Sequence, residues 1–379
     1  MLEELRLRLF KCFEKLDLPL GPLTVLSGSN GSGKSSVIQA MALLHQTIHE
    51  HEWSTRLMLN GDSVQLGTVL DVVDKVHGRR QLEIGLLEGS SSCHWTFRGD
   101  REEMSMATES VRLDAVDFRQ PSALRHLLPP DRHESESGFI TRLRDLTYIT
   151  AGRTGPRDIY ELEDRQTAQV VGPQGEHTLS VLYRVRDEPT RKPFVVADLP
   201  PTGLRQVEAR MAQIFPGCRL DVQPVPQANA VTLGIRTSDE TGFHRPVNVG
   251  FGITQVLPIV VAAVSAKEGD VLLIENPEVH LHPAAQSRMG GFLAEIAASG
   301  SQIIVESHSD HVLNGIRRAV RSGVLSSENA LIHFFRPRGG DLDQVASPVL
   351  DSAGRIDAWP EGFFDQFDKD LNQLAGWDE

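Results

Sequence analysis

At 379 residues, with 40% hydrophobic and 23% charged side chains, the chain exceeds one average domain and sits with ordinary folded proteins. Its Asp and Glu number 51 against 38 Lys and Arg, a net charge of −13, which excludes a surface that coats nucleic acid non-specifically, so any DNA contact has to be local. Cys12, Cys93 and Cys218 show no paired or metal-ligand spacing, which fits a reducing, cytoplasmic compartment. The acidic start Met1-Leu2-Glu3-Glu4 is unlike an export signal, and no apolar run reaches the ~18 residues of a membrane helix, so no membrane partner is expected.

Short apolar bursts from Leu5 to Ser27 predict strands joined by tight connections, the last running straight into glycines. Val37, Ile38, Met41, Leu43 and Leu44 then recur at helical spacing, giving strand, Gly-rich loop, helix. Three strands are predicted over Gln81–Leu87, His94–Phe97 and Val111–Phe118, in a β-rich stretch. From Pro121 to about Pro200 the chain is polar and reads as a peripheral lobe, with Leu146–Thr150 its clearest strand. Leu204–Phe215 reads as an amphipathic helix, and Arg219–Ile235 as strands around the loop Pro224–Asn229. Regular alternation follows: helix Ile253–Lys267, strand Val271–Ile274, helix from Pro283 to near Gly300, strand Gln302–Val305, helix Asp310–Arg321, strand Ile332–Phe335. Such alternation implies parallel pairing with right-handed crossovers.

Gly28-Ser29-Asn30-Gly31-Ser32-Gly33-Lys34-Ser35 satisfies the Walker A pattern between a predicted strand and a predicted helix, and Ser36 extends the set of nucleotide-binding candidates. The glycines let successive backbone N–H groups face phosphates, the helix N-terminus adds positive potential, Lys34 bridges phosphate oxygens and Ser35 offers a Mg²⁺ ligand. ATP and Mg²⁺ are therefore the expected cofactors. An acid ending a buried strand should complete the metal site, and Val271-Leu272-Leu273-Ile274-Glu275 supplies Glu275.

Glu275-Asn276-Pro277-Glu278-Val279-His280-Leu281-His282-Pro283 resembles the Walker B and D-loop segment of ABC-type ATPases related to RecF, SMC and OLD proteins. Glu306-Ser307-His308-Ser309 resembles the end of their switch-histidine strand. Asn248-Val249-Gly250-Phe251-Gly252-Ile253-Thr254-Gln255 resembles a degenerate signature motif, with Asn248, Gly250, Gly252 and Gln255 its candidate contacts. The resemblance covers Leu2–Thr47 and Asn248–Gly323. It implies an α/β P-loop NTPase fold like an ABC-ATPase head, with a mixed sheet, an antiparallel β subdomain and a peripheral inserted lobe. It further implies a two-fold homodimer that sandwiches two ATP molecules, the signature of each subunit closing on the γ-phosphate held by the other.

The expected division is an N-terminal ATPase lobe over residues 1–118, an inserted lobe over 119–247, a C-terminal ATPase lobe over 248–336 and a short C-terminal domain over 337–379. Where the family usually carries a second acid, this chain has Asn276, and an amide cannot accept a proton. Two readings follow: a slow ATPase that acts as an ATP-gated clamp, or an active one in which Glu278 or His308 polarises the attacking water; real but slow hydrolysis is expected, the rival being an ATP-responsive clamp or scaffold with negligible hydrolysis. Gln65 stands at a sequence distance from Lys34 that suits a Q-loop glutamine on Mg²⁺. Tyr148-Ile149-Thr150-Ala151-Gly152-Arg153 resembles a Tyr-x-x-x-x-Arg stretch near the nucleotide-sensing lobe of these ATPases, and reads equally as a strand followed by a solvated Arg loop. His280 and His282 read as loop residues and not as metal ligands, and His311 as surface. Arg317, Arg318 and Arg321 read as a solvated helix face, the rival being a phosphate-backbone contact. Trp359, Phe363, Phe364 and Phe367 crowd a tail that should dock onto the ATPase body or onto a partner. The sequence as read to Glu379 leaves no room for the Toprim nuclease domain of OLD proteins, so a separate effector such as a nuclease is expected, with DNA as a further candidate partner. Antiviral defence and DNA repair are the settings that the resemblance suggests.

Overall fold

The computed structural model describes residues 1–76, 80–132, 137–164, 170–339, 342–364 and 366–375. The chain opens with β1 (Glu4–Phe10), β2 (Phe13–Pro19), β3 (Leu23–Gly28) and the long helix α1 (Lys34–Glu50). Next come β4 (Arg56–Met58), the short α2 (Val69–Val72), β5 (Gln81–Glu88), β6 (Ser91–Arg98), β7 (Ser105–Leu113) and β8 (Val116–Arg119). The expected single strand over Val111–Phe118 is instead a hairpin. Asp114 adopts a left-handed backbone (φ 49°), a conformation Asp tolerates, and turns β7 into β8.

The polar middle holds more helix than its composition suggested: α3 (Ser137–Arg144), β9 (Thr147–Ile149), β10 (Tyr160–Glu161) and α4 (Thr178–Val185), after which α5 (Gly203–Ile214) forms where the amphipathic pattern predicts it. The hairpin β11 (Arg219–Pro224) and β12 (Ala230–Arg236) then leads to α6 (Phe251–Ser265), β13 (Val271–Glu275), α7 (Pro283–Ala298), β14 (Gln302–Glu306) and α8 (Asp310–Arg321). The chain closes with β15 (Ala330–Phe335), β16 (Val345–Ala346) and α9 (Gln366–Ala375). The start of α8 is capped by Ser309, whose hydroxyl accepts from Val312 N–H at 3.1 Å. His282 caps α7 in the same way through Nδ1, just ahead of Pro283.

One sheet runs β16-β15-β3-β14-β13-β9, parallel except for β16. Its strands are apolar on both faces because both faces are covered. Leu272, Ile274, Ile303 and Val305 pack into a core shared with α6, α7 and α8. Leu273, Ile304 and Leu26 face the opposite way, onto α1 and the antiparallel sheet β2-β1-β5-β6-β7-β4. That places α1 between two sheets, and Val37, Ile38, Met41, Leu43, Leu44 and Ile48 are all fully buried. The segment between β9 and α6 adds a small sheet, β10-β12-β11, whose inner residues join the first core. Among the described residues no helix is long and apolar enough to cross a membrane.

The aromatic tail closes on its own chain: Phe363 is fully buried and meets Phe334 edge-on at 5.3 Å, while Trp359 stays half exposed beneath Arg317. Asp365 and the side chain of Phe367 lie outside the described residues. Arg317 also donates to Gly354 O at 2.8 Å, and Arg318 to Ser287 Oγ at 3.2 Å. This basic helix face therefore braces neighbouring segments, and Arg317 is neither purely solvated nor free for a phosphate backbone.

Two buried histidines make the fold acid-sensitive. His45 donates from Nδ1 to Leu143 O at 2.7 Å, and His333 sits between Ser347 Oγ at 2.7 Å and Pro19 O at 2.9 Å. Burial pulls both down to about 4. The unfolded chain takes up these protons below about pH 6.5 while the folded chain stays neutral to about pH 4, so stability falls as pH falls through that window. Each histidine is expected to cost about 2 kcal/mol between pH 6.5 and 5, at roughly 1.4 kcal/mol per unit. Urea denaturation at both pH values checks this, and equal stabilities would contradict it.

Candidate functional site

The carboxyl ends of β3, β14 and β13 meet the N-terminus of α1, the crevice where open α/β sheets place their ligands. Gly28 ends β3 with φ 135°, and a Cβ there would stand 2.1 Å from Phe335 O, because β15 pairs with β3 up to this residue. Gly33 caps α1 with φ 111°, and a Cβ on it would strike Phe13 and Cys12. Both positions therefore demand glycine for backbone and for space. Ser29, Asn30 and Gly31 form an exposed crest, steadied beneath by Ser32 Oγ donating to Ser29 O at 2.7 Å. Gln344, from the hairpin after β15, donates to Ser32 O at 3.3 Å.

Lys34 is 3% exposed and folds back over the loop, donating from Nζ to Gly28 O at 3.0 Å and Ser29 O at 2.8 Å. Burial lowers its pKa, opposed by Glu306, whose carboxylate lies 3.9 Å away. Ser35 Oγ donates to Glu306 Oε2 at 2.9 Å. Glu306 is 5% exposed, and sequence reasoning assigns it no role. The signal was present, since Gln302–Glu306 is an apolar strand ending in an acid, just as Val271–Glu275 is.

Glu275 has no such contact with the P-loop. Its Oε1 accepts from Tyr148 OH at 2.9 Å and its Oε2 from Ala151 N–H at 3.2 Å, both on the β9 side of the sheet. Burial first, and Glu306 further, raise its pKa. Arg153, 6% exposed, donates to the carbonyl oxygens of Glu275 and Asn276, so it is a buried clamp on this turn and not a solvated loop residue. Desolvation brings its pKa down to about 10, against the pull of Glu278 and Glu275, so it keeps its charge at neutral pH. The Tyr-x-x-x-x-Arg stretch thus converges on the acid of β13 from both ends.

Asn276 adopts a left-handed backbone (φ 43°), which Asn tolerates better than most residues, while its N–H continues the sheet to Glu306 O at 2.8 Å. Glu278 accepts from Ser307 Oγ at 3.0 Å and from the His308 N–H at 2.7 Å. The partly exposed His308 ring brings Nε2 to 3.7 Å from Glu306 Oε1. Glu278, Ser307 and His308 thus lie next to the Ser35–Glu306 pair at the P-loop.

Other candidates fall elsewhere. Gln65 is exposed on a loop tied to the far half of α1, where Val64 N–H donates to Gln46 Oε1 at 3.0 Å. At 1.5 Å per residue, Gln46 stands about 16 Å along the axis from Ser35, so the structure does not bring Gln65 to the metal position. Asn248 and Gly250 are exposed at the N-terminus of α6, but Gln255 is 2% exposed and donates to Arg153 O at 3.4 Å and Thr154 O at 3.3 Å. Gly252 packs on the turn at His280, where a Cβ would come 2.6 Å from His280 O. The outer half of the signature-like segment faces solvent, and its inner half holds the Arg153 loop and the turn after Glu275. Among the described residues no cluster of His, Cys, Asp and Glu has metal-binding geometry of its own; His282 caps α7, and the His280 ring meets Phe251 edge-on at 4.7 Å.

Residues 91–314, which contain the β13 and β14 strand ends, match the family model described as AAA domain, putative AbiEii toxin, Type IV TA system. The chain belongs to this AAA family. Residues 1–84, with the P-loop, match a second model, AAA ATPase domain, and residues 325–374 match a protein of unknown function (DUF3696). A curated relative of this AAA protein, the OLD nuclease of Thermus scotoductus, is 24% identical over 383 residues, covering 92% of this chain and 70% of the relative. Among solved structures, an Smc head bound to the C-winged helix domain of ScpA superposes with a TM-score of 0.54 at 14% identity, covering 92% of this chain and 98% of that one. An Smc head with an extended coiled coil, bound to the C-terminal domain of ScpA derived from Pyrococcus furiosus, gives 0.52 at 12%, covering 99% of each. At such identities the likeness is one of fold. Together these findings are consistent with the RecF/SMC/OLD-like group of P-loop ATPases, and the likeness to Smc heads supports an ABC-ATPase head-like fold.

Proposed function

We propose that this AAA protein binds MgATP on Gly28–Ser36 and hydrolyses it slowly as a head-to-tail homodimer, whose closure gates a separate effector or a DNA transaction. The observation that carries the reading is the buried Lys34 ammonium, held on the carbonyl oxygens of its own loop at the amino end of α1. A triphosphate would take over that ammonium together with the loop N–H groups. The residues present fit a hard divalent cation as well: the Ser35 hydroxyl lies beside the Glu306 carboxylate that ends β14, with Glu275 ending the next strand, an all-oxygen set. Bound there, the cation would neutralise phosphate charge. On the protein side, Lys34 neutralises the remainder and Glu278 accepts from the attacking water. Each Glu278 oxygen accepts one hydrogen bond from the switch turn and keeps a second lone pair. His308 lines the same edge. Asn276 supplies no base, which is why turnover is slow.

The dimer reading draws on the exposed tip at Asn248 and Gly250, presented at the start of a well-packed helix. By analogy with the relative's name, a nuclease is the effector class, with anti-phage defence or genome maintenance as the setting. The rival clamp reading keeps ATP-driven closure and drops hydrolysis. Sedimentation of a slow-hydrolysing Glu278→Gln variant tests closure: the mass should double in MgATP and return to the monomer value in MgADP. An unchanged monomer in saturating MgATP would refute the dimer.

A further inference from the structure

The geometry points to Glu306, and not Glu275, as the carboxylate that joins Ser35 in holding the divalent cation of the bound nucleotide. This deepens the proposed reading of the P-loop and rests on it. In the parallel sheet β14 lies between β3 and β13, with Glu306 in register with Leu26 on one side and Glu275 on the other. At about 4.8 Å per strand, Glu275 starts two strands from the P-loop strand and Glu306 only one. The side chains widen that difference. Glu275 is held by Tyr148 OH and Ala151 N–H on the β9 side, while Glu306 reaches Ser35 Oγ at 2.9 Å.

The Ser35 hydroxyl and a Glu306 oxygen stand 2.9 Å apart, so both could reach one small oxygen-binding cation. Glu306 also carries the negative charge nearest Lys34, at 3.9 Å, so it balances the ammonium before nucleotide arrives. When phosphates take over Lys34, that carboxylate faces a polyanion in a site where it is 5% exposed. A cation between them removes the conflict. Glu275 then acts one layer out, oriented by Tyr148, with Arg153 fixing its backbone.

Equilibrium titration with a fluorescent ATP analogue, with and without Mg²⁺, separates the two acids, and Mn²⁺ electron paramagnetic resonance reads the metal directly. Glu306→Gln is expected to lose about 100-fold in Mn²⁺ affinity in the nucleotide complex and to bind metal-free nucleotide at least as well as the unaltered protein. Glu275→Gln, as an outer partner, should lose about tenfold. Glu306→Asp, which keeps the charge, should recover metal dependence in part, and thermal melting confirms that each variant is folded. Metal dependence kept in Glu306→Gln, or a loss in Glu275→Gln equal to or larger than in Glu306→Gln, overturns the assignment. If the unaltered protein binds no nucleotide, the P-loop reading itself fails.

Discussion

Glu278→Gln is expected to lower single-turnover ATP hydrolysis by about 100-fold or more while leaving nucleotide affinity within about threefold, the range general-base removal produces. The substitution keeps size and one acceptor oxygen, so the loss reports the missing base. Glu278 touches the switch turn at both Ser307 and His308, so the variant also weakens the hold on that turn. Binding should survive because Lys34 and the loop contact Glu306 and backbone carbonyls, and not Glu278. Rapid-quench measurement with enzyme in excess distinguishes the two readings. Turnover equal to that of the unaltered protein would favour the clamp and remove Glu278 from the chemistry.

Lys34→Ala should weaken ATP binding by about 10²–10⁴-fold, since two charge-assisted hydrogen bonds to phosphate oxygens, each contributing about 1.5–3 kcal/mol, are lost. A second effect works in the same direction. Without the ammonium, Glu306 keeps Ser35 as a hydrogen-bond donor but loses the charge 3.9 Å away, and a buried carboxylate then opposes the incoming phosphates. Calorimetric titration in Mg²⁺ against both proteins measures the difference, and affinities within threefold of one another would contradict the role given to Lys34.

Much of this architecture was legible because the alternating segments carry strong local signals. The helix over Asp310–Arg321 and the strands at Val271 and Gln302 appear where periodicity places them, with Ser309, Pro283 and the glycines marking their ends. The middle was harder to read. Helices α3 and α4 are short, and α4 buries one side against α6, a tertiary fact that a polar window does not announce. The Walker A residues were legible as a contiguous motif. The partnership of Ser35 with Glu306 was not, since it joins residues 271 positions apart and depends on which strand lies next to β3. Strand order likewise explains why Glu275, with the same apolar run before it, faces Tyr148 and not the loop. Gln65 went astray because spacing alone does not reveal that its loop is anchored at Gln46. Gln255, read as reaching across a dimer, spends its amide inside its own chain.

The most direct test is isothermal titration of the purified chain with ATP in excess Mg²⁺. Saturable binding at one site per chain, reduced by Lys34→Ala and dependent on the cation, is the predicted result. A folded protein that takes up neither ATP nor GTP under those conditions would contradict the account at its base.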